Sequence, residues 1–104
     1  MPEYIDLRPG QRINVQRDAG ALDDAYTSVI RHVSPVAVRI DVPRRDGEAL
    51  LLRMTEPLLI LVDLQGRLYT FASRVQKFDA TEDFVLIDRP RVVEQSERRQ
   101  FIRL

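Results

Sequence analysis

Cysteine is absent from this chain, and no run of apolar residues is longer than Leu58–Val62. Without cysteine there are no disulfides, no thiolate nucleophile and no thiolate ligands for a metal, and a cytoplasmic setting fits. A membrane-spanning helix needs about 20 consecutive apolar residues, which the sequence does not contain. The start, MPEYIDLRPG, is polar and acidic and has no secretory signal pattern. Histidine occurs once, at His32, so no histidine cluster can form a zinc site. The four glycines are scattered among turns and cannot build a phosphate-cradling loop. The formal net charge is zero, so no long-range field draws the whole molecule toward DNA.

What remains is an ordinary globular composition, 44% hydrophobic and 31% charged over 104 residues, enough for one domain with a core of its own. Short segments with a two-residue period recur along it. Gln11–Arg17 sets Ile13 and Val15 on one face against Arg12, Asn14 and Gln16 on the other. Tyr26–Val33 is rich in β-branched and aromatic residues, and Ser34-Pro35 breaks it. Val36–Val42 alternates most clearly, with Val36, Val38, Ile40 and Val42 predicted to face inward. An Asp46-Gly47 turn leads to a predicted strand over Ala49–Met54. Leu58–Asp63 follows the break at Glu56-Pro57, and Arg67–Val75 follows a turn at Leu64-Gln65-Gly66. Phe78–Asp83 reads as a polar loop, Phe84–Ile87 as a further strand, and Asp88-Arg89-Pro90 as its end. Met1–Gly10 reads as a lead-in and Asp18–Asp24 as a turn. Turns every eight to twelve residues and no long amphipathic helix predict an all-β protein of about six to seven short strands, a barrel or sandwich with antiparallel pairing. Strand order is not legible at this stage.

Candidate chemistry is sparse. His32 stands beside apolar residues in a predicted strand, where a lone histidine packs or meets solvent rather than catalysing. The adjacent carboxylates Asp23-Asp24 and Glu82-Asp83 fall in predicted loops, where such residues bond their own backbone. The expectation is therefore that the chain is not an enzyme. Tyr69 and Phe71 are in phase with Val75 and are expected in the core, rather than serving as stacking platforms for nucleic acid. Charge is uneven along the chain. From Arg89 onward five arginines stand against two glutamates, a net +3, which leaves −3 on the first 88 residues. The positive end culminates in Ser96–Leu104, SERRQFIRL, with Arg98, Arg99 and Arg103. Arg99 and Arg103 share one side of the chain in a helix, and in a strand they share a face about 13 Å apart. Two guanidinium forks on one face suit a planar anionic ligand, since each bonds a phosphate or the Hoogsteen edge of a guanine in bidentate fashion.

The pattern resembles the N-terminal, YcgR-like domain of flagellar-brake proteins, which precedes a PilZ domain. The resemblance runs from about residue 8 to residue 104 and rests on Pro43–Gly47 (PRRDG), Leu58–Asp63, Tyr69-Thr70-Phe71, Leu86–Pro90 (LIDRP) and Glu97–Leu104 (ERRQFIRL). It implies a small antiparallel split β-barrel as the fold, and a receptor for cyclic di-GMP that acts on flagellar motility or exopolysaccharide output. Residues 1–95 would be the YcgR-like barrel and 96–104 an arginine-rich junction into a PilZ domain. By the same resemblance Arg99 and Arg103 would be the motif's arginine pair and Arg98 the arginine before it, clamping the phosphates and guanine edges of the dinucleotide. No cofactor is implied beyond that ligand. The implied partners are cyclic di-GMP, the PilZ domain, flagellar motor proteins and a second copy in a homodimer, without DNA. A PilZ site also uses an Asp/Asn-x-Ser-x-x-Gly element, and this sequence has none up to Leu104. The chain is then either a fragment of a longer receptor or a stand-alone domain, and weak or no nucleotide binding by it alone is expected. Two other readings stay open: an interaction or dimerisation barrel whose arginines pair with Glu94, Glu97 or a neighbouring subunit, and an enzyme or cofactor carrier, suggested only by the fold analogy that split barrels elsewhere bind flavin.

Overall fold

Side-chain alternation sets the inward face of each strand in the computed structural model, which describes residues 7–17, 25–64, 66–90 and, as backbone, 94–95. Among the described residues nine strands occur: β1 Arg12–Arg17, β2 Tyr26–Val33, β3 Ala37–Ile40, β4 Arg44–Arg45, β5 Glu48–Ala49, β6 Pro57–Leu64, β7 Arg67–Asp79, β8 Phe84–Asp88 and β9 Glu94–Gln95. Hydrogen bonding links them in the order β1-β6-β7-β8-β3-β2, and β1 pairs with β2 to close the ring. Every pairing is antiparallel. The result is a six-stranded barrel with no free edge along the ring, as closure requires. The β4–β5 hairpin attaches outside it to β2, and β9 attaches to β7. No helix of the described residues is long and apolar enough to cross a membrane.

Inside the ring Val15, Ile30, Ile40, Ile60, Val85 and Ile87 are fully buried, with Val38, Leu58, Val62 and Val75 almost so. Burying one such side chain contributes roughly 1.5–3 kcal/mol relative to leaving it in water. Tyr69 and Phe71 are buried in the same cluster, as their phase with Val75 predicts. The two long strands each serve two sheets. β2 pairs with β1 through Tyr26–Val29 and with β3 through Ile30–Val33, and its register shifts between Ile30 and His32. β7 pairs with β6 through Arg67–Arg74 and with β8 through Val75–Asp79, and its register shifts between Val75 and Lys77. At each shift one residue, Arg31 or Gln76, is extra to the ladder, which bends the strand and turns the sheet corner.

Buried hydroxyls tie down carbonyls near these corners. Ser28 Oγ donates to the Asp41 carbonyl at 2.6 Å, and Ser73 Oγ donates to the Asp88 carbonyl at 2.8 Å. The β4–β5 turn has Asp46 at φ 53° and Gly47 at φ 84°, the left-handed pair that a two-residue hairpin loop needs.

Several sequence expectations are corrected. Val36 does not face inward; it is 72% exposed, because Ser34 Oγ accepts the amides of Val36 and Ala37 and holds a turn that delays β3 to Ala37. Ala49–Met54 is not a strand: pairing stops at Ala49, although Leu50 and Leu52 are buried and Leu51 is exposed. The alternation there is real, but its backbone bonds are isolated: the Leu50 amide donates to the Pro43 carbonyl, and the Arg53 carbonyl accepts the Glu56 amide. Phe78 and Asp79 are not loop but the end of β7, which at 13 residues is not short. The turn itself is confined to residues 80–83. The predicted turn at Asp18–Asp24 and most of the lead-in lie outside the described residues.

Candidate functional site

The arginines singled out by sequence, Arg98, Arg99 and Arg103, lie outside the described residues, as does the whole of 96–104. What the structure does provide is the anchor immediately before them. β9 pairs with the edge of β7 that β8 leaves free, with Gln95 opposite Tyr69 and Glu94 opposite Thr70. Nothing in the apolar pattern of Arg91–Ser96 announces this strand; the backbone groups of β7 that need partners create it.

The register then connects β9 to a groove on the outside of the barrel. Arg44, Thr27, Asn14, Leu61 and Thr70 stand in one row across β4, β2, β1, β6 and β7, and Glu94 continues the row onto β9. Four of these residues, Asn14, Thr27, Arg44 and Leu61, line an open groove of about 720 Å³. At about 4.8 Å per strand, β9 lies about 14 Å from β1 across this face. The neighbouring row adds Arg12 and Asp63 to the groove wall.

Charges of both signs line the groove. Asp83 enters from the β7–β8 turn, at φ 58°, and its Oδ1 accepts the Val42 amide at 3.3 Å and Arg44 Nη2 at 3.4 Å. This corrects the expectation that the Glu82-Asp83 pair serves only its own turn; that duty falls to Asp79, whose Oδ1 accepts the Glu82 amide. Asp41, also in the lining, accepts Arg31 through both carboxylate oxygens, and this raises the Arg31 pKa first through the hydrogen bond and then through the charge. Arg12 is exposed and makes no hydrogen bond or ion pair among the described residues. The groove therefore offers donors and acceptors for a polar ligand, with one uncommitted guanidinium.

His32 is exposed on β2, opposite Arg39 of β3. Among the described residues no group of three or more histidine or acidic side chains is placed to hold a metal ion.

Comparison with known proteins supplies the remaining observations. Residues 8–92 match the family PilZNR, described as flagellar protein YcgR. No curated protein matches the sequence. Among solved structures, the chain is similar to the Bacillus subtilis inhibitor of motility MotI/DgrA, with a TM-score of 0.69 at 15% identity. The match covers 92% of this chain and 49% of that one, so the chain spans about half the length of that structure.

Proposed function

The chain belongs to the PilZNR family of YcgR-type flagellar proteins, and from that membership we propose that it is the regulatory N-terminal module of a cyclic di-GMP receptor acting on flagellar motility or exopolysaccharide output. The observation that carries this reading is the attachment of β9 to β7, because the arginine segment begins directly after Gln95. In this reading the barrel is a scaffold and the segment is one half of a nucleotide site. Arg99 and Arg103 engage the phosphates and guanine edges of the dinucleotide, and Arg98 adds a third guanidinium. A PilZ domain supplies the other half, and flagellar motor proteins receive the output in the cytoplasm. The name of MotI/DgrA, an inhibitor of motility, supports the motility side of this reading.

Each charge-assisted hydrogen bond between guanidinium and phosphate contributes about 1.5–3 kcal/mol, so removing two arginines weakens binding about a hundredfold or more. The test is calorimetric titration of cyclic di-GMP into the chain mixed with a PilZ domain. Saturable binding is expected for the native chain and its loss for Arg99→Ala with Arg103→Ala. Equal affinity of the two proteins would overturn the reading.

A further inference from the structure

On the side of the barrel formed by β2, β3, β8 and β7, the register aligns His32, Arg39, Leu86 and Lys77 in one outward row. Lys77 is the only lysine in the sequence. Arg39 and Lys77 are exposed, and both sit on the ring of Phe84, which lies one outward row away on β8. The Arg39 guanidinium carbon lies 4.2 Å from the ring centroid and the Lys77 ammonium 5.7 Å from it, so the two cations are no more than about 10 Å apart. Three carboxylates near this face have hydrogen-bond partners other than Arg39 and Lys77. Asp41 is held by Arg31, Asp79 by the Glu82 amide and Asp88 by Gln76 Nε2 at 2.8 Å. Neither Arg39 nor Lys77 has an ion-pair partner among the described residues. The face thus presents two cations pinned in place by an aromatic ring, with the half-buried Leu86 between them.

We propose that this face docks an acidic, extended polypeptide segment of a partner protein. Carboxylates at alternate positions of an extended strand lie about 7 Å apart on one side, a spacing that lets both reach the Arg39–Lys77 pair. Holding the cations on Phe84 reduces the side-chain freedom lost on binding. Single-stranded nucleic acid fits less well. It needs an open aromatic face for base stacking, and here Arg39 covers Phe84. The domain body also carries a net −3 over the first 88 residues, which repels a long polyanion while a short segment reaches only the patch. This proposal does not depend on the nucleotide reading, since it uses none of Arg98, Arg99 and Arg103.

The test uses the 104-residue chain, isotopically labelled, and a peptide with glutamates alternating with serines. A serine-only peptide and an oligothymidylate serve as competitors. Amide shifts are expected to concentrate on Arg39, Lys77, Phe84 and Leu86 in the presence of the glutamate peptide. Binding should weaken about tenfold or more for Arg39→Glu with Lys77→Glu. It should also weaken as ionic strength rises from about 0.01 M to about 0.15 M, where the screening length falls from about 30 Å to about 8 Å. Both substitutions are on exposed side chains, and an unchanged thermal midpoint for Lys77→Glu alone guards against misfolding. Shifts on another face, no loss in the double variant, or tighter binding of the oligothymidylate would each overturn the proposal.

Discussion

Arg17 and Glu56, 39 residues apart in sequence, are joined by a bond from Arg17 Nε to Glu56 Oε2 at 2.5 Å. The other Glu56 oxygen accepts the Arg53 amide at 3.0 Å, and Arg17 Nη2 also donates to the Leu51 carbonyl. The pair therefore straps the irregular segment after β5 to the end of β1. The Glu56 side chain is only 16% exposed. Burial pushes its carboxyl up, but the Arg53 amide and the Arg17 guanidinium outweigh burial and hold it below the usual value of 4.5.

Acid sensitivity follows from the sign of that shift. A carboxyl depressed in the folded state contributes stability that is fully present above its unfolded value and is lost as pH falls through the folded one. Below about pH 4.5 the native protein is expected to lose stability more steeply than Glu56→Gln. Denaturant midpoints measured from neutral pH down to acid would check this; parallel curves would contradict it.

In the core, Ile60 of β6 stands opposite Phe71 of β7, and both are buried. Ile60→Ala is expected to cost about 2–5 kcal/mol and Phe71→Ala about 3–5 kcal/mol. Each is a large share of the roughly 5–15 kcal/mol that a domain has in total. Ile60→Val, which removes one methylene, should cost only about 0.5–1.5 kcal/mol. Equilibrium urea unfolding measures all three.

The paired hydroxyls make a separable prediction. Ser28→Ala and Ser73→Ala each remove a buried donor and leave a carbonyl without it, at a cost of about 1 kcal/mol each. The serines lie on different strands, β2 and β7, and bond different carbonyls, so the double variant should lose close to the sum, about 2 kcal/mol. Chemical denaturation of the three variants reads both values.

Thr55 holds a left-handed backbone at φ 64°, an unfavourable state for a β-branched residue. Its amide donates to the Val75 carbonyl and its own carbonyl accepts Arg74 Nη1, so the turn is pinned from both sides. Asparagine tolerates this conformation, and Thr55→Asn is expected to stabilise by about 0.5–1 kcal/mol, or a few degrees in thermal midpoint.

The sequence makes the all-β class and most strands legible because single-sheet strands keep a strict period of two, as Ile13 and Val15 or Leu58, Ile60 and Val62 do. It obscures the strands that turn a corner. In β2 the inward residues are Ile30 and then Val33; in β7 they are Val75 and then Phe78. A spacing of three in place of two is the mark of the bulge, and it makes Phe78 read as loop. The leucines after Ala49 mislead in the opposite way, since Leu50 and Leu52 bury without joining a ladder. The arginine segment is legible as residue types only. The strand just before it, β9, pairs with β7 through backbone partners and not through a side-chain pattern. The Arg39–Phe84–Lys77 arrangement is hidden for a related reason: β3, distant in sequence, brings Arg39 onto the β7–β8 hairpin that carries Lys77 and Phe84.

The proposed reading makes the arginine segment that follows β9 one half of a cyclic di-GMP site. Amide shifts of the labelled chain, recorded while cyclic di-GMP is titrated in the presence of a PilZ domain, test it most directly. Shifts are expected at Arg98, Arg99 and Arg103 and along Leu68–Thr70, and none at Arg39 or Lys77. Shifts that bypass the arginines and the β7 edge would contradict it.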